Sequence, residues 1–147
     1  MPISNLTDHT GYWLRMVSNA VSYDFARKVA AEDVTVAEWV FLRALFDCEG
    51  TTATALADRM GMTRGAISKL SDRLVAKNLV VRSEASGRTQ SLALTESGKS
   101  KLPLLARIAD ENDEHYFSVL THSEHATLDM LLKTLVERRG LAKTPLD

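Results

Sequence analysis

The sequence predicts an α+β fold that is mostly helical, and three observations carry that reading. Apolar residues recur at helical spacing in six segments, one stretch between Leu79 and Leu94 changes to alternation, and capping and turn residues stand at the boundaries. The chain has 147 residues, 45% of them apolar and 25% charged, which suits one compact domain that needs neither disulfide nor metal to fold.

From His9 to about Ala31 the spacing of Leu14, Val17, Val21 and Phe25, with Trp13 and Met16 alongside, predicts a long amphipathic helix. Thr35 with Glu38 three residues on reads as a capping box, and Val40, Phe41, Leu45 and Phe46 continue a second helix until Gly50. Thr52 begins a short third helix to about Met60, and Thr63 caps a fourth to about Asn78. Leu79–Ser83 and Thr89–Leu94 then alternate on either side of Ala85-Ser86-Gly87, which predicts a β-hairpin. Thr95 caps a long helix to about Leu120, in which Pro103 is expected to kink the helix or reset its start. Thr121 and Glu124 form another capping box, and Leu128, Leu131, Leu132 and Leu135 stripe a last helix that ends at Gly140.

Charge is distributed unevenly. Between Thr63 and Gln90 there are six basic and two acidic side chains, although the whole chain carries a formal charge of −1. Much of the compensating acid lies in Asp110, Glu111, Asp113 and Glu114, so a basic middle faces an acidic later segment. Cys48 is the single cysteine; it excludes an intrachain disulfide and a CxxC site and suits a reducing, cytoplasmic setting. The first eleven residues are polar and lack Lys and Arg, unlike a signal or transit peptide. The richest apolar stretch, Val34 to Phe46, is broken by Glu38 and Arg43, so no membrane span is expected.

Ala53 to Leu70 has the spacing of a helix-turn-helix. Leu56 and Met60 face inward, Ala57 is small where two helices approach, Gly61 supplies a left-handed turn, and Met62 plugs it. Ile67, Leu70 and Leu74 return the inward stripe, which leaves Gly65, Ser68, Lys69 and Asp72 on the outward face of the second helix. A small, polar outward face suits a major groove about 12 Å wide. The hairpin that follows makes a two-stranded wing. Arg88 at its tip is placed for a narrow minor groove, and Arg73 and Lys77 are placed for phosphates.

Three stretches, Thr52–Thr63, Asp72–Arg82 and Leu92–Gly98, together resemble the MarR family of bacterial winged helix-turn-helix regulators, and the resemblance extends over nearly the whole chain. It implies a homodimer, residues 1–34 and 96–147 forming a helical dimerisation region around a winged helix-turn-helix of residues 35–95. It further implies double-stranded DNA with a pseudo-palindromic operator as partner, and repression released by a small molecule or oxidant. The residues expected at DNA are Thr52, Thr63, Arg64, Gly65, Ser68, Lys69, Arg73 and Arg88. The family's wing usually has an Asp followed by two Arg, whereas this chain reads Gly87-Arg88-Thr89 there. An effector, if one binds, is expected in an apolar cleft between the two regions, near Tyr12, Trp13, Met16 and Trp39.

Other classes find less support. No GxSxG, Walker A or GxGxxG motif is present, and Cys48 has Asp47 and Glu49 as neighbours, so no catalytic residue or cofactor is expected. Nor does Cys48 match the first-helix cysteine through which some MarR-family members sense oxidants. A metal-responsive regulator is the main alternative, because Glu111 and His115 share a helix face and His122 and His125 open the next helix. An exposed acidic segment is more often plain surface, so no metal site is assigned. A winged helix used only for protein contacts would tend to lose the basic residues Arg64, Lys69 and Arg73 that stand here.

Overall fold

The computed structural model describes residues 2–48, 50–84 and 90–146. After a 3-10 turn at Leu6–Asp8 come α1 (Thr10–Ala30), α2 (Val36–Asp47), β1 (Thr51–Thr52), α3 (Ala53–Met60) and α4 (Arg64–Ala76). β2 (Val80–Glu84), β3 (Gln90–Leu94), α5 (Glu96–Phe117) and α6 (His122–Arg139) complete the chain.

Every helix from α2 to α6 starts with a threonine. The hydroxyls of Thr35, Thr52, Thr63, Thr95 and Thr121 each accept the backbone N–H three residues on, at 3.0–3.1 Å. Each such cap satisfies a donor that the helix end leaves open and stabilises by about 1 kcal/mol. Thr35 and Thr121 complete reciprocal capping boxes with Glu38 and Glu124. Pro103 does not reset α5, which starts at Glu96 and continues beyond the proline. The start is held twice over. The Thr95 hydroxyl donates to the Asn78 carbonyl at 2.6 Å, and a Cβ on Gly98 would collide with the Leu79 carbonyl oxygen, so only glycine lets α5 come this close.

The sheet is antiparallel in the order β1-β3-β2, with Val80 opposite Leu94 and Glu84 opposite Gln90. β1, which has only two residues, pairs Thr51 with Leu92 and Thr52 with Ser91. The sequence pattern shows no sign of it, because two residues cannot display a period.

The core lies where α2 meets the helix-turn-helix, the sheet and the first half of α5: Phe41, Leu42, Leu45, Leu56, Ile67, Leu74, Val80, Leu92 and Leu105 are at most 2% exposed. α1 adds only Val29 to it, and α6 adds nothing. The outer turns of these two helices instead leave apolar side chains open: Trp13, Leu14, Met16 and Val17 on α1, and Met130, Leu131, Leu135 and Val136 on α6. Among the described residues no helix is long and apolar enough to cross a membrane.

Candidate nucleic-acid interface

The unit that could meet DNA is built from α3, its turn and α4. Gly61 adopts φ +64°, ends α3 and lets Met62 donate back to the Ala57 carbonyl at 2.9 Å. Leu56, Ala57 and Met60 on α3 and Ile67, Leu70 and Leu74 on α4 are buried. α4 therefore presents the other side, and Arg64, Gly65, Ser68, Lys69, Asp72 and Arg73 are all exposed. Gly65, Ser68, Lys69 and Asp72 are the outward residues that helical projection predicts, and Arg64 and Arg73 are exposed beside them.

Electrostatics sharpen that face. Asp72, its one acid, is bridged by Arg82 from β2, which cancels its charge against a strand residue. Arg64, Lys69 and Arg73 make no ion pair among the described residues, so the face is basic in effect. Thr63 and Thr52 accept backbone N–H bonds through their hydroxyl oxygens, and their own protons remain available to an acceptor such as a phosphate. Arg88 lies outside the described residues.

Lys77 corrects an expectation. It was expected at phosphates, but its ammonium is turned inward, 3.0 Å from Glu38 Oε1 and 2.6 Å from the Asp33 carbonyl. Glu38 is wholly buried, and a buried carboxylate without a cation would be costly, which is why the lysine at the end of α4 is drawn to it. Burial pushes the Glu38 carboxyl up, but the Thr35 N–H and Lys77 outweigh it and hold the group below the usual glutamate range. Arg59 and Arg43 are likewise engaged, with Asp47 at 3.4 and 2.7 Å.

The expected effector residues do not come together within one chain. Trp39 lies edge-on to Phe25 at 6.5 Å and lines a cavity of about 210 Å³ with Val21, Ser22, Phe25, Ala109, Asn112 and Asp113. Tyr12, Trp13 and Met16 are not among those lining residues. At about 1.5 Å per residue Trp13 stands about 18 Å along α1 from Phe25, so one helix cannot bring both to one cavity. Trp13 instead packs edge-on to Tyr12 at 5.2 Å and donates to the Thr7 carbonyl at 3.1 Å. Asn112, missed from the sequence, is buried; it accepts from Lys28 at 2.8 Å and donates to the Val21 carbonyl at 3.3 Å. Its signal was present, since Leu102, Leu105 and Asn112 share the inward stripe of α5.

The histidines do not assemble a metal centre: among the described residues no group of three His, Cys, Asp or Glu side chains could hold an ion. His125 stacks on Phe117 at 5.4 Å and faces Asp129 at 3.8 Å. Cys48 donates its thiol to the Ala44 carbonyl at 3.0 Å.

A helix-turn-helix with a three-stranded wing, carried between long terminal helices, defines a winged helix-turn-helix protein. Residues 32–89 match the model of the MarR family. A candidate transcriptional regulatory protein for the hcr operon of Thauera aromatica is 29% identical over 134 residues, covering 89% of this chain and 81% of that one. An uncharacterized HTH-type transcriptional regulator of Bacillus cereus is 30% identical over 95 residues, and the match spans 62% of its length. Among solved structures, a probable transcriptional regulator from Pseudomonas aeruginosa is 25% identical, with TM-score 0.79 over 89% of this chain and 99% of that chain. A cysteine-to-serine mutant of E. coli MarR in complex with operator DNA has TM-score 0.79 at 22% identity, over 91% and 99% of the two chains. Bordetella bronchiseptica BpsR, whose DNA binding is regulated by 6-hydroxynicotinic acid, has TM-score 0.81 at 19% identity, over 92% and 99%. The last two are likenesses of fold.

Proposed function

We propose that this chain is a homodimeric, sequence-specific DNA-binding regulator that represses until a small molecule alters the spacing of its two wings. The observation that carries this is the exposed face of α4, polar, small near its start and relieved of its one acid by Arg82, opposite a fully buried stripe. Arg64 acts from the first turn on a base edge, Arg73 on the backbone, Arg88 in a flanking minor groove, and Thr52, Thr63, Gly65, Ser68 and Lys69 complete the surface. The open apolar faces of α1 and α6 supply the two-fold contact, and residues 35–95 form the DNA-binding region. The operator complex of MarR and the ligand control of BpsR support the reading by likeness of fold. The cavity beside Trp39, between α1, α2 and α5, is the effector site this reading favours over an oxidant at Cys48, whose thiol is already hydrogen-bonded.

Titration of mixed-sequence duplex DNA at rising salt tests it. Phosphate contacts predict a linear fall of log affinity with log salt. Binding that is absent, or indifferent to salt, would favour the second reading, a winged helix for protein contacts alone.

A further inference from the structure

Helix α6 contributes no buried residue, yet the chain beyond its Gly140 stop returns to the helix-turn-helix. The Leu141 N–H closes the helix end on the Val136 carbonyl at 2.9 Å, and the Thr144 N–H then donates to the Met60 carbonyl at 3.2 Å. Met60 is the last residue of α3, so its carbonyl is one of those a helix end leaves without an intrahelical partner. The turn is also shaped around this segment. A Cβ on Gly61 would stand 2.9 Å from the Ala142 carbonyl oxygen and 3.0 Å from Lys143 Cα, so glycine is required there for space as well as for its positive φ. Further on, Leu146 packs half-buried against the core, and Thr144 borders a cavity of about 250 Å³ beside Trp39 and Met60.

A hydrogen bond, a close backbone approach and an apolar anchor thus tie one short segment to the end of α3, the turn and the core. We infer that Leu141–Leu146 is a positioning strap: it holds the turn of the helix-turn-helix and couples the end of α6 to the surface offered by α4. Its effect at DNA rests on the reading proposed above; the strap itself does not.

In the full-length chain, Thr144→Pro removes the donor to Met60 and Leu146→Glu removes the anchor, with Thr144→Ser as the conservative control. Amide exchange at Gly61 and Met62 should rise about tenfold in both variants, the equivalent of one lost hydrogen bond, while β2 and β3 keep their protection. Affinity for mixed-sequence duplex DNA should fall several-fold in both variants and stay at the wild-type level in Thr144→Ser. Leu146→Ala takes the place of Leu146→Glu where the charged variant folds poorly. Unchanged exchange at both amides overturns the strap, as does an increase spread evenly over β2 and β3. Raised exchange at the turn with undiminished duplex affinity overturns the coupling. A wild-type chain that binds no duplex overturns the DNA reading alone, because exchange decides the strap without DNA.

Discussion

Lys77 and Glu38 link the end of α4 to the start of α2, and each would be out of place without the other. Lys77→Met leaves a wholly buried carboxylate without its cation and should destabilise by about 2–3 kcal/mol, less than for a fully enclosed pair because the lysine is 28% exposed. The pH dependence has a definite sign. The folded carboxyl lies below its unfolded value, so its contribution is complete above the ordinary glutamate range and is lost as pH falls through the folded value. In the variant the carboxyl keeps the Thr35 bonds but loses Lys77, so it is raised relative to the wild type and its contribution depends less favourably on pH. Urea unfolding from about pH 7 down to about pH 3 should therefore show the penalty of Lys77→Met shrinking with acid. A penalty constant over that range would show that Glu38 is not ionised in the fold. Two arginines on the open face should separate by function. Arg64→Ala is expected to cost about 1–3 kcal/mol per base contact and to relax preference at one position in each half-site. Arg73→Ala should weaken all sequences alike and reduce the salt slope by about 1 per site. Affinities across a library of duplexes decide between them, and an equal, uniform loss from both would show that Arg64 also grips backbone.

Glycines distinguish the elements. Gly98 in α5 has the Leu79 carbonyl where a Cβ would go, whereas Gly65 in α4 has nothing within 4 Å. Gly98→Ala must push α5 away from the start of β2 and should cost about 1–3 kcal/mol in thermal unfolding. Gly65→Ala should raise stability by roughly 0.5 kcal/mol through helix propensity. If α4 lies in a groove, the same methyl weakens duplex binding, so a stabilised variant with reduced affinity is expected; equal or tighter binding would place Gly65 off the interface. The two positions look alike in sequence, each a glycine in the first turn of a threonine-capped helix. Only the packing of α5 against the residue before β2 separates them.

At the scale of the molecule, the proposed homodimer would cover the open apolar faces of α1 and α6 with a second copy. Leu131→Asp together with Leu135→Asp places charge on side chains that are each 52% exposed in the single chain, so the monomer should fold with little loss. Sedimentation should show the wild type as a dimer and the double variant as a monomer with much weaker duplex binding. A double variant that still sediments as a dimer would move the interface away from α6. Trp39 offers the matching test for an effector: a ligand in its cavity should quench tryptophan fluorescence and weaken duplex binding together, and Trp39→Leu should remove both effects.

Local order was legible in the residues themselves. Threonine caps, the left-handed Gly61, the inward stripe of α4 and the alternation around the wing are all set by neighbours a few residues apart, and such short-range chemistry needs no knowledge of the rest of the chain. For the same reason the outward face of α4 could be projected from one helical period. The sequence did not indicate β1, the inward turn of Lys77, the bridge from Arg82 to Asp72 or the return of Thr144 to Met60. Each joins groups that lie far apart in sequence or depends on a neighbouring element's backbone. Lys77 shows the reason most plainly: by local pattern it is one more cation on a basic helix, and only the packing of α2 against α4 buries a carboxylate within its reach. Charge type and spacing are properties of the sequence, but which charge faces solvent is decided by what the tertiary fold desolvates.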